Sequence, residues 1–284
     1  QQMMSKHKHM KKFILVLMAF FFVHCTNTTD NIEEEVHLLQ SKTAAPQYDI
    51  FLIAGQSNTH YGIGYDPMID TIDPDIFQVG RHGTFNNKVI VASEALHHWT
   101  SNNSKIGFGL TFAKKYKQYL LKPDRKILLV PCGYGGTTIQ QWSKNTPLYN
   151  DAVKRTLTAL NNNPGSSLKG ILWHQGEFNV NTTNYTTLLD KFIGDLRKDL
   201  NDPNLPIVLG GMVPFWVNRH PSRIAQQEKI KTTPNRVNNS AYADPTFPFE
   251  ISKLNNSYDH IHFDAKGQRE LGLRYFEKYN TLVH

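Results

Sequence analysis

The sequence predicts an α/β fold, a three-layer α/β/α sandwich with a central, mainly parallel sheet. Two observations support this class. Four short, continuous apolar runs are spaced along the chain after residue 47, as is typical of strands buried on both faces of a sheet. Longer stretches with helical spacing of apolar residues separate them, and such alternation favours a parallel sheet covered by helices. A chain of 284 residues, 39% of them hydrophobic, is long enough to bury this core.

Each element follows from its own local pattern. The apolar runs predict strands at Ile50–Ala54, Lys126–Pro131, Gly170–His174 and Pro206–Met212. The helical spacing predicts helices at Leu110–Leu121, Tyr149–Leu160, Tyr185–Leu200, Ser222–Lys231 and Lys266–Tyr279, with Asp264 or a residue beside it as a cap for the last. Residues 61–105, rich in Gly, Asn, Asp and Pro, predict a long irregular loop that faces the substrate.

Residues 1–24 predict a signal peptide. A positive segment, Met10-Lys11-Lys12, precedes an apolar run of 11 residues from Phe13 to Val23, which is too short to span a bilayer. Cys25 follows and resembles the lipidation site of bacterial lipoproteins, the alternative being a plain signal peptide with a bystander thiol. Residues 25–46 predict a flexible tether and residues 47–284 the globular domain. We expect an exported, envelope-bound lipoprotein, or otherwise a secreted protein.

The charge and the cysteine count exclude two classes of protein. The formal net charge is +7, but four of the lysines lie in the leader. Without them the charge is about +3, and no dense Lys/Arg run remains to bind a nucleic acid. Cys25 and Cys132 are the two cysteines, so no disulfide forms if Cys25 is lipidated or removed. Cys132, at a strand end, is expected to be a small buried residue rather than a catalytic thiol.

A serine directly after a predicted strand is the strongest chemical signal. The strand Ile50–Ala54 stops at Gly55, and Ser57 follows at once. A serine hydroxyl becomes an effective nucleophile when the backbone presents it and a base takes its proton. Thr59 stands where the G-x-S-x-G motif of α/β-hydrolases needs Gly, so that motif is absent. A purely structural serine is the alternative.

Asp259 and His262 offer the base that Ser57 requires. Residues three apart lie on the same side of one turn, so Asp259 is placed to support a His262 that faces Ser57. His260 competes for the role of base, but its adjacency to Asp259 does not give the same geometry. A surface histidine is the alternative for His262.

Gly135 and Gly136 follow the strand Lys126–Pro131 and predict an oxyanion hole. A backbone N–H approaches a substrate closely where side chains are absent, and the N–H of Ser57 would be a second donor. A plain strand-to-loop turn is the alternative.

Four motifs, in this order, resemble the SGNH-hydrolase superfamily, whose fold is flavodoxin-like. The nearest branch is the sialate O-acetylesterase-like group, which includes the acetylxylan esterases of carbohydrate esterase family six. The motifs are Gly55–Asn58, Pro131–Thr137, Trp173–Glu177 and Asp259–Phe263. They span residues 55–263, nearly the whole predicted domain.

The resemblance implies a role for each matching residue. Ser57 is the nucleophile, His262 is the general base and later the acid, and Asp259 fixes the tautomer of His262. The side chain of Gln175 is implied to be a further oxyanion donor; its alternative is a buried amide that satisfies backbone groups. Glu177 is implied to be a supporting carboxylate, with a structural ion pair or a backbone acceptor as the alternatives.

Asn58 and Trp142 are candidate substrate contacts, and Asn179 departs from the usual pattern of the family. Asn58 adjoins the nucleophile, and Trp142 follows the glycine loop; aromatic faces suit sugar rings, although packing is the alternative. Trp99 and Tyr61 are aromatic residues in predicted loops with the same two interpretations. Asn179 stands where the family often has Asp.

We therefore expect a serine carbohydrate O-acetylesterase that removes acetyl groups from polysaccharide or glycan sugars through an acetyl-Ser57 intermediate. Its partner is an acetylated carbohydrate, with no cofactor, no metal and no nucleic acid. Membrane contact is expected only through a lipid on Cys25.

Two other functional classes compete with the esterase interpretation. A metallohydrolase would use His174, Glu177, His260 and His262, but Phe178 stands where the H-x-x-E-H motif needs His, and no H-E-x-x-H motif occurs. A non-catalytic, glycan-binding lipoprotein on a hydrolase-like scaffold would fit the leader and the aromatic residues equally well, but it would not need the triad.

Overall fold

The computed structural model describes residues 46–100, 104–253 and 258–284. The predicted signal peptide, Cys25 and all of the predicted tether except Pro46 lie outside the described residues. Of the helices in the described ranges, none is both long and apolar enough to cross a membrane.

A seven-stranded sheet forms the centre of the fold. Its strands are β1 (Gln47–Gly55), β3 (Ile76–Val79), β4 (Val89–Val91), β6 (Arg125–Pro131), β7 (Ser167–His174), β8 (Ile207–Gly210) and β9 (Ser240–Ala243). Their order is β4-β3-β6-β1-β7-β8-β9, and all neighbours run parallel except β3 and β4. A separate antiparallel pair joins β2 (Gly62–Ile63) to β5 (Lys105–Ile106). The prediction of a mainly parallel sheet is confirmed.

The four predicted apolar runs correspond to β1, β6, β7 and β8. The prediction that residues 61–105 form one irregular loop is wrong, because β2, β3 and β4 lie within it and β3 pairs with β6 in the main sheet. Strands β3 and β4 have only four and three residues, and the buried Gln78 interrupts the apolar pattern of β3. Such short segments give too little periodicity to identify a strand.

The described residues contain six α-helices, five of them between strands and one after the last strand. They are α1 (Gly109–Tyr119), α2 (Pro147–Asn161), α3 (Tyr185–Asp199), α4 (Pro214–Val217), α5 (Pro221–Lys231) and α6 (Ala265–Val283). All five predicted helices are present, and α4 is an additional short one. The carboxylate of Asp264 accepts a hydrogen bond of 2.8 Å from the N–H of Gly267 and caps α6, as predicted.

Alternate side chains of β1 enter two separate cores. Ile50 and Leu52 belong to a cluster that includes residues of α2 and α3, whereas Phe51 and Ile53 pack with residues of α1 and α6. Because successive side chains of a strand point to opposite faces, these helices cover opposite faces of the sheet. The three-layer arrangement is confirmed.

The chain order places a crevice at the carboxyl end of β1. After β1 the chain builds β3, β4 and β6 on one side of it, and it then crosses to build β7, β8 and β9 on the other. In open parallel sheets, the carboxyl ends of strands at such a reversal form the ligand-binding crevice. The residues after β1, β6 and β7 therefore meet at one edge.

Candidate active site

The backbone after β1 turns sharply and presents Ser57. Gly55 has φ of +126°, and a Cβ atom there would lie 2.0 Å from the carbonyl oxygen of His174, so only glycine fits. Residues Ser57–Thr59 then form one turn of 3₁₀ helix. Ser57 is 6% exposed, so only a small part of its surface reaches solvent.

Ser57, His262 and Asp259 form a continuous hydrogen-bonded triad. The Nε2 of His262 lies 2.8 Å from the Oγ of Ser57, and its Nδ1 lies 2.9 Å from one Asp259 carboxylate oxygen and 3.0 Å from the other. An ionised carboxylate can only accept, so Nδ1 carries the proton and Nε2 accepts from the serine hydroxyl. Asp259 also accepts from the N–H of His262 at 3.1 Å, which fixes the turn between them.

Charges around Asp259 keep it ionised. Burial alone would raise the pKa of this carboxyl, but the hydrogen bond and the positive charge of His262, helped by Lys253, outweigh it and lower the pKa below its usual value. The Lys253 ammonium lies 3.9 Å from Asp259 and donates to the carbonyl oxygen of His262. The ring of Tyr61 packs 4.7 Å from that of His262 and limits its movement.

The competing base, His260, lies elsewhere. Its ring packs 5.4 Å from that of Phe215, and its Nδ1 has no hydrogen-bond partner among the described residues. The geometry therefore brings together the set Ser57, Asp259 and His262 and leaves His260 aside.

Asn58 holds the His262 loop rather than facing substrate, so its predicted substrate contact is wrong. It is fully buried. Its Oδ1 accepts from the N–H of Phe263 at 3.0 Å, and its Nδ2 donates to the carbonyl oxygen of Ile261 at 2.9 Å. These bonds lie on either side of His262, so Asn58 positions the imidazole through its backbone.

Glu177 is buried behind Asn58. One of its oxygens accepts from the Nδ2 of Asn58 at 2.6 Å and lies 3.6 Å from the Nε2 of His174. Burial would raise the pKa of this carboxyl, but His174 and the hydrogen bond from Asn58 lower it overall. Its side chain is closed to solvent, so Glu177 supports the His262 loop through Asn58 and does not reach a sugar hydroxyl.

The backbone donors near Ser57 differ in availability. The N–H of Gly135 donates to the hydroxyl of Thr100 at 2.9 Å. By contrast, the N–H groups of Gly136 and Ser57 have no acceptor among the described residues. Gly136 has φ of +69°, a conformation that favours glycine. The two free amides, rather than both glycine amides, are the candidates for an oxyanion hole.

Gln175 is not an oxyanion donor, and this part of the prediction is wrong. Its side chain is fully buried, and its Nε2 donates to the Asn179 side chain at 2.6 Å and to the carbonyl oxygen of Thr137 at 3.1 Å. Its Oε1 accepts from the hydroxyl of Tyr185 at 3.0 Å. Gln175 therefore braces the end of the glycine loop, which is the alternative that the sequence left open.

A directed hydrogen-bond chain links the glycine loop to the nucleophile turn. Thr59 donates its hydroxyl proton to the carbonyl oxygen of Gln56 at 2.8 Å, so at 2.6 Å it accepts from Nδ1–H of His60. The Nε2 of His60 then accepts from Thr100 at 2.9 Å, and Thr100 accepts from Gly135. Burial, and secondly the charge of His262, lower the pKa of His60 to about 3, which keeps the ring neutral.

Sequence reasoning missed His60 and Thr100. His60 directly precedes the segment 61–105 that was predicted to be irregular, and Thr100 lies within it. No local sequence pattern indicates that these two residues are in contact. Only the packing of residues 98–100 against the glycine loop brings them together; for example, the N–H of Trp99 donates to the carbonyl oxygen of Gly133 at 3.0 Å.

Trp142 does not contact substrate, and this prediction is wrong. It is fully buried, its Nε1 donates to Thr137 at 3.0 Å, and its ring packs edge-on to Trp173 at 5.3 Å. The aromatic residues that reach the surface beside the glycine loop are Trp99, which is 38% exposed and packs against Tyr134, and Phe178, which is 53% exposed.

Comparison with known proteins identifies the family. A family model described as carbohydrate esterase, sialic acid-specific acetylesterase, matches residues 47–281. The chain belongs to this family. The predicted resemblance to this family is confirmed.

Two relatives found by sequence comparison have names that agree with this family. A probable carbohydrate esterase of Arabidopsis thaliana is 39% identical over 107 residues, which cover 36% of this chain and 40% of the relative. A probable 9-O-acetyl-N-acetylneuraminic acid deacetylase of Escherichia coli (strain K12) is 28% identical, covering 61% of this chain and 70% of the relative. The chain thus spans less than half of the Arabidopsis relative.

Solved structures share the fold. The crystal structure of NanS has a TM-score of 0.73 at 20% identity and covers 84% of this chain and 98% of its own. The X-ray structure of an Arabidopsis thaliana protein has a TM-score of 0.68 at 26% identity. The match covers 83% of this chain and 99% of that protein.

Two observations bear on a metal site and on a catalytic thiol. Across residues 46–100, 104–253 and 258–284, no group of three or more His, Cys, Asp or Glu side chains is arranged to hold a metal ion. Cys132 is buried, and burial raises the pKa of its thiol to about 12, so the reactive thiolate is disfavoured.

Proposed function

We propose that the protein is a serine carbohydrate O-acetylesterase in which Ser57 is acetylated during each turnover. One observation carries the mechanism: the Nε2 of His262 lies 2.8 Å from the Oγ of Ser57 while Asp259 holds the other ring nitrogen. Family membership supplies the substrate class, an acetyl ester of a sugar. The relatives named above point to acetylated nonulosonic acids or to other acetylated glycans.

In the proposed reaction, the Oγ of Ser57 attacks the acetyl carbonyl carbon as His262 takes the hydroxyl proton. The resulting oxyanion is stabilised by the N–H groups of Ser57 and Gly136, and Asp259 stabilises the imidazolium. The carbon–oxygen bond to the sugar then breaks, and His262 protonates the departing sugar oxygen. Water attacks the acetyl-Ser57 ester with His262 again as the base, which releases acetate and restores the serine.

The test compares the full chain with Ser57→Ala on acetylated xylan and on O-acetylated sialoglycans, with released acetate as the readout. Wild type should release acetate from at least one of them, and the variant should not. Mass spectrometry of acid-quenched wild type should show one acetyl group on Ser57. Retained release by Ser57→Ala would overturn the mechanism, and saturable binding without turnover would favour a glycan-binding protein.

The chain offers a matched control. Ser222 lies 2.7 Å from His220 on the surface, and no carboxylate in the part of the chain that the structure describes is bonded to this imidazole. The variant Ser222→Ala removes a similar hydroxyl outside the crevice and should keep wild-type release.

We also propose that the chain is exported and that Cys25 carries a lipid anchor. The motivation is the apolar segment Phe13–Val23, which lies just before Cys25 and is followed by a polar tether before the domain at residue 47. Fatty-acid labelling and membrane association should be lost in Cys25→Ala and kept in Cys132→Ala. Equal membrane association of both variants would rule out the anchor.

A further inference from the structure

A basic cavity adjoins the proposed active site. It has a volume of about 470 Å³ and lies between the segment after β3 and helix α2. We define the basic cavity by Arg81, Trp99, Asp151, Lys154 and Arg155, which line it together with the imidazole of His82 and neighbouring amide and hydroxyl side chains. None of these five residues takes part in the proposed chemistry.

Positive charge in the basic cavity exceeds negative charge. Arg81 forms a two-point ion pair with Asp151, at 2.7 and 3.2 Å. Arg155 has no carboxylate partner: it is 5% exposed, and its guanidinium donates only to backbone carbonyls and to amide oxygens. Lys154 is exposed and has no hydrogen-bond or ion-pair partner among the described residues. Three cations therefore face one carboxylate.

The two buried guanidinium groups also keep unused donors. The side chain of Arg81 is 8% exposed and Arg155 is 5% exposed, yet the Nε of each has no acceptor among the described residues. A buried positive charge that no carboxylate balances, such as that of Arg155, is unfavourable, and the field of an anion bound in the cavity would lower that cost. Arginine and lysine together suit a carboxylate, which accepts several charge-assisted hydrogen bonds.

Trp99 connects the basic cavity to the catalytic loop. The Arg81 guanidinium lies 4.9 Å from the centre of the Trp99 ring, and that ring is 5.6 Å from the ring of Tyr134. Tyr134 directly precedes Gly135, where a Cβ atom would lie 3.8 Å from the Cβ of Ser57. A second cavity of about 510 Å³ is lined by Trp99 and Tyr134, so the Trp99 ring borders both cavities.

We propose that the basic cavity binds a carboxylate of the glycan whose acetyl ester is presented to Ser57. This inference extends the proposed function, since it assigns the residues that recognise an acidic glycan. The carboxylate belongs either to the acetylated sugar itself, as in a nonulosonic acid, or to a neighbouring uronic acid. Lys154 contributes an exposed charge, and the buried pair Arg81 and Arg155 provides fixed positive potential.

The test measures kinetics of the full chain on three acetylated substrates. One is a neutral xylo-oligosaccharide, one carries a uronic acid on a neighbouring unit, and one is an O-acetylated sialoside. Lys154→Gln should raise KM about tenfold for at least one acidic substrate, as expected for one lost charge-assisted hydrogen bond. It should leave kcat/KM for the neutral substrate unchanged, and Lys154→Glu should enlarge the difference. The acidic substrate that responds identifies the source of the carboxylate.

Lys198→Gln is the matched control, because Lys198 is an exposed lysine on α3 that does not line the basic cavity. Added salt should also raise KM for the acidic substrate in wild type, because screening weakens the attraction. Equal effects of Lys154→Gln on neutral and acidic substrates, or no effect on any of them, would overturn the inference. Absence of acetate release from all three substrates by wild type would instead contradict the proposed function.

Discussion

The side-chain amide of Asn58 lies 2.6 Å from a carboxylate oxygen of Glu177, in a region closed to solvent. The two residues belong to different motifs, 119 positions apart in the chain. Asn58 also holds the backbone on both sides of His262. The pair therefore ties the nucleophile turn, the end of β7 and the histidine loop into one hydrogen-bonded unit.

Asn58→Ala should lower kcat about 100-fold with little change in KM, because a misplacement of about 1 Å at a catalytic group has an effect of that size. Steady-state kinetics on the best acetylated substrate checks this. A large increase in KM with normal kcat would show instead that Asn58 contacts the substrate. Glu177→Gln is the companion variant; it keeps the shape but removes the charge, and we expect a smaller loss of kcat.

Asp259→Asn should leave the fold intact and lower kcat by up to about 10⁴-fold, since the amide favours the wrong tautomer of the imidazole. Circular dichroism and acetate release measure the two effects separately. A loss of only a few-fold would mean that Asp259 is not the partner of His262 in the reaction. Because the pKa of Asp259 is lowered in the fold, this carboxyl is ionised throughout the neutral range.

The sequence contained enough information to predict the triad and the central strands. Ser57, Asp259 and His262 each belong to a short motif, and buried parallel strands such as β1 and β6 give continuous apolar runs. Burial is what local patterns did not reveal. Gln175 and Trp142 have residue types that suit an active site, but their exposure depends on which helices pack over them.

The hydrogen-bond chain through Thr100 could not be predicted for a related reason. Thr100 and Gly135 are 35 positions apart, and β3 and β4 lie within the segment that places Thr100. These strands are too short to produce a periodic signal. A contact that depends on them is visible only once the sheet is assembled.

Thr100→Val should lower kcat about tenfold, because the glycine loop loses the acceptor that holds Gly135, and a lost hydrogen bond to a buried donor is worth about 1–3 kcal/mol. Thr100→Ser should restore activity, since the hydroxyl is the group that matters. The measurement is kcat and KM for both variants. Higher activity of Thr100→Val would show that the hydroxyl competes with the substrate for the Gly135 amide.

Cys132→Ala should keep wild-type acetate release within about twofold, because the thiol lies outside the triad and burial disfavours its reactive form. In a Cys25→Ala background, Cys132 is the single thiol of the chain. A thiol reagent should therefore label the denatured protein rapidly and the native protein slowly. Rapid labelling of the native protein, with loss of activity, would return the thiol to consideration as a catalytic group.

The buried His60 should make the fold sensitive to acid. Its pKa is about 3 in the folded protein, because of burial first and of the positive charge of His262 second, against 6.5 for an unperturbed histidine. Between these values the unfolded chain binds a proton that the folded chain does not. The free energy of unfolding should therefore fall as the pH drops from about 6.5 towards 3, by about 1.4 kcal/mol per pH unit for this one group.

Denaturant unfolding at a series of pH values tests this, with His60→Asn as the variant and His284→Asn as the control at an exposed histidine that has no hydrogen-bond partner among the described residues. The slope of stability against pH should become shallower by about one proton in His60→Asn and stay unchanged in the control. His98, which stacks on His60 at 4.8 Å and also has a lowered pKa through burial, should leave part of the slope in place. An unchanged slope in His60→Asn would mean that the His60 imidazole binds its proton as readily in the folded state as in the unfolded chain. Both ring nitrogens would then donate, and the hydrogen bond between Nε2 and Thr100 would run in the direction opposite to the one derived above.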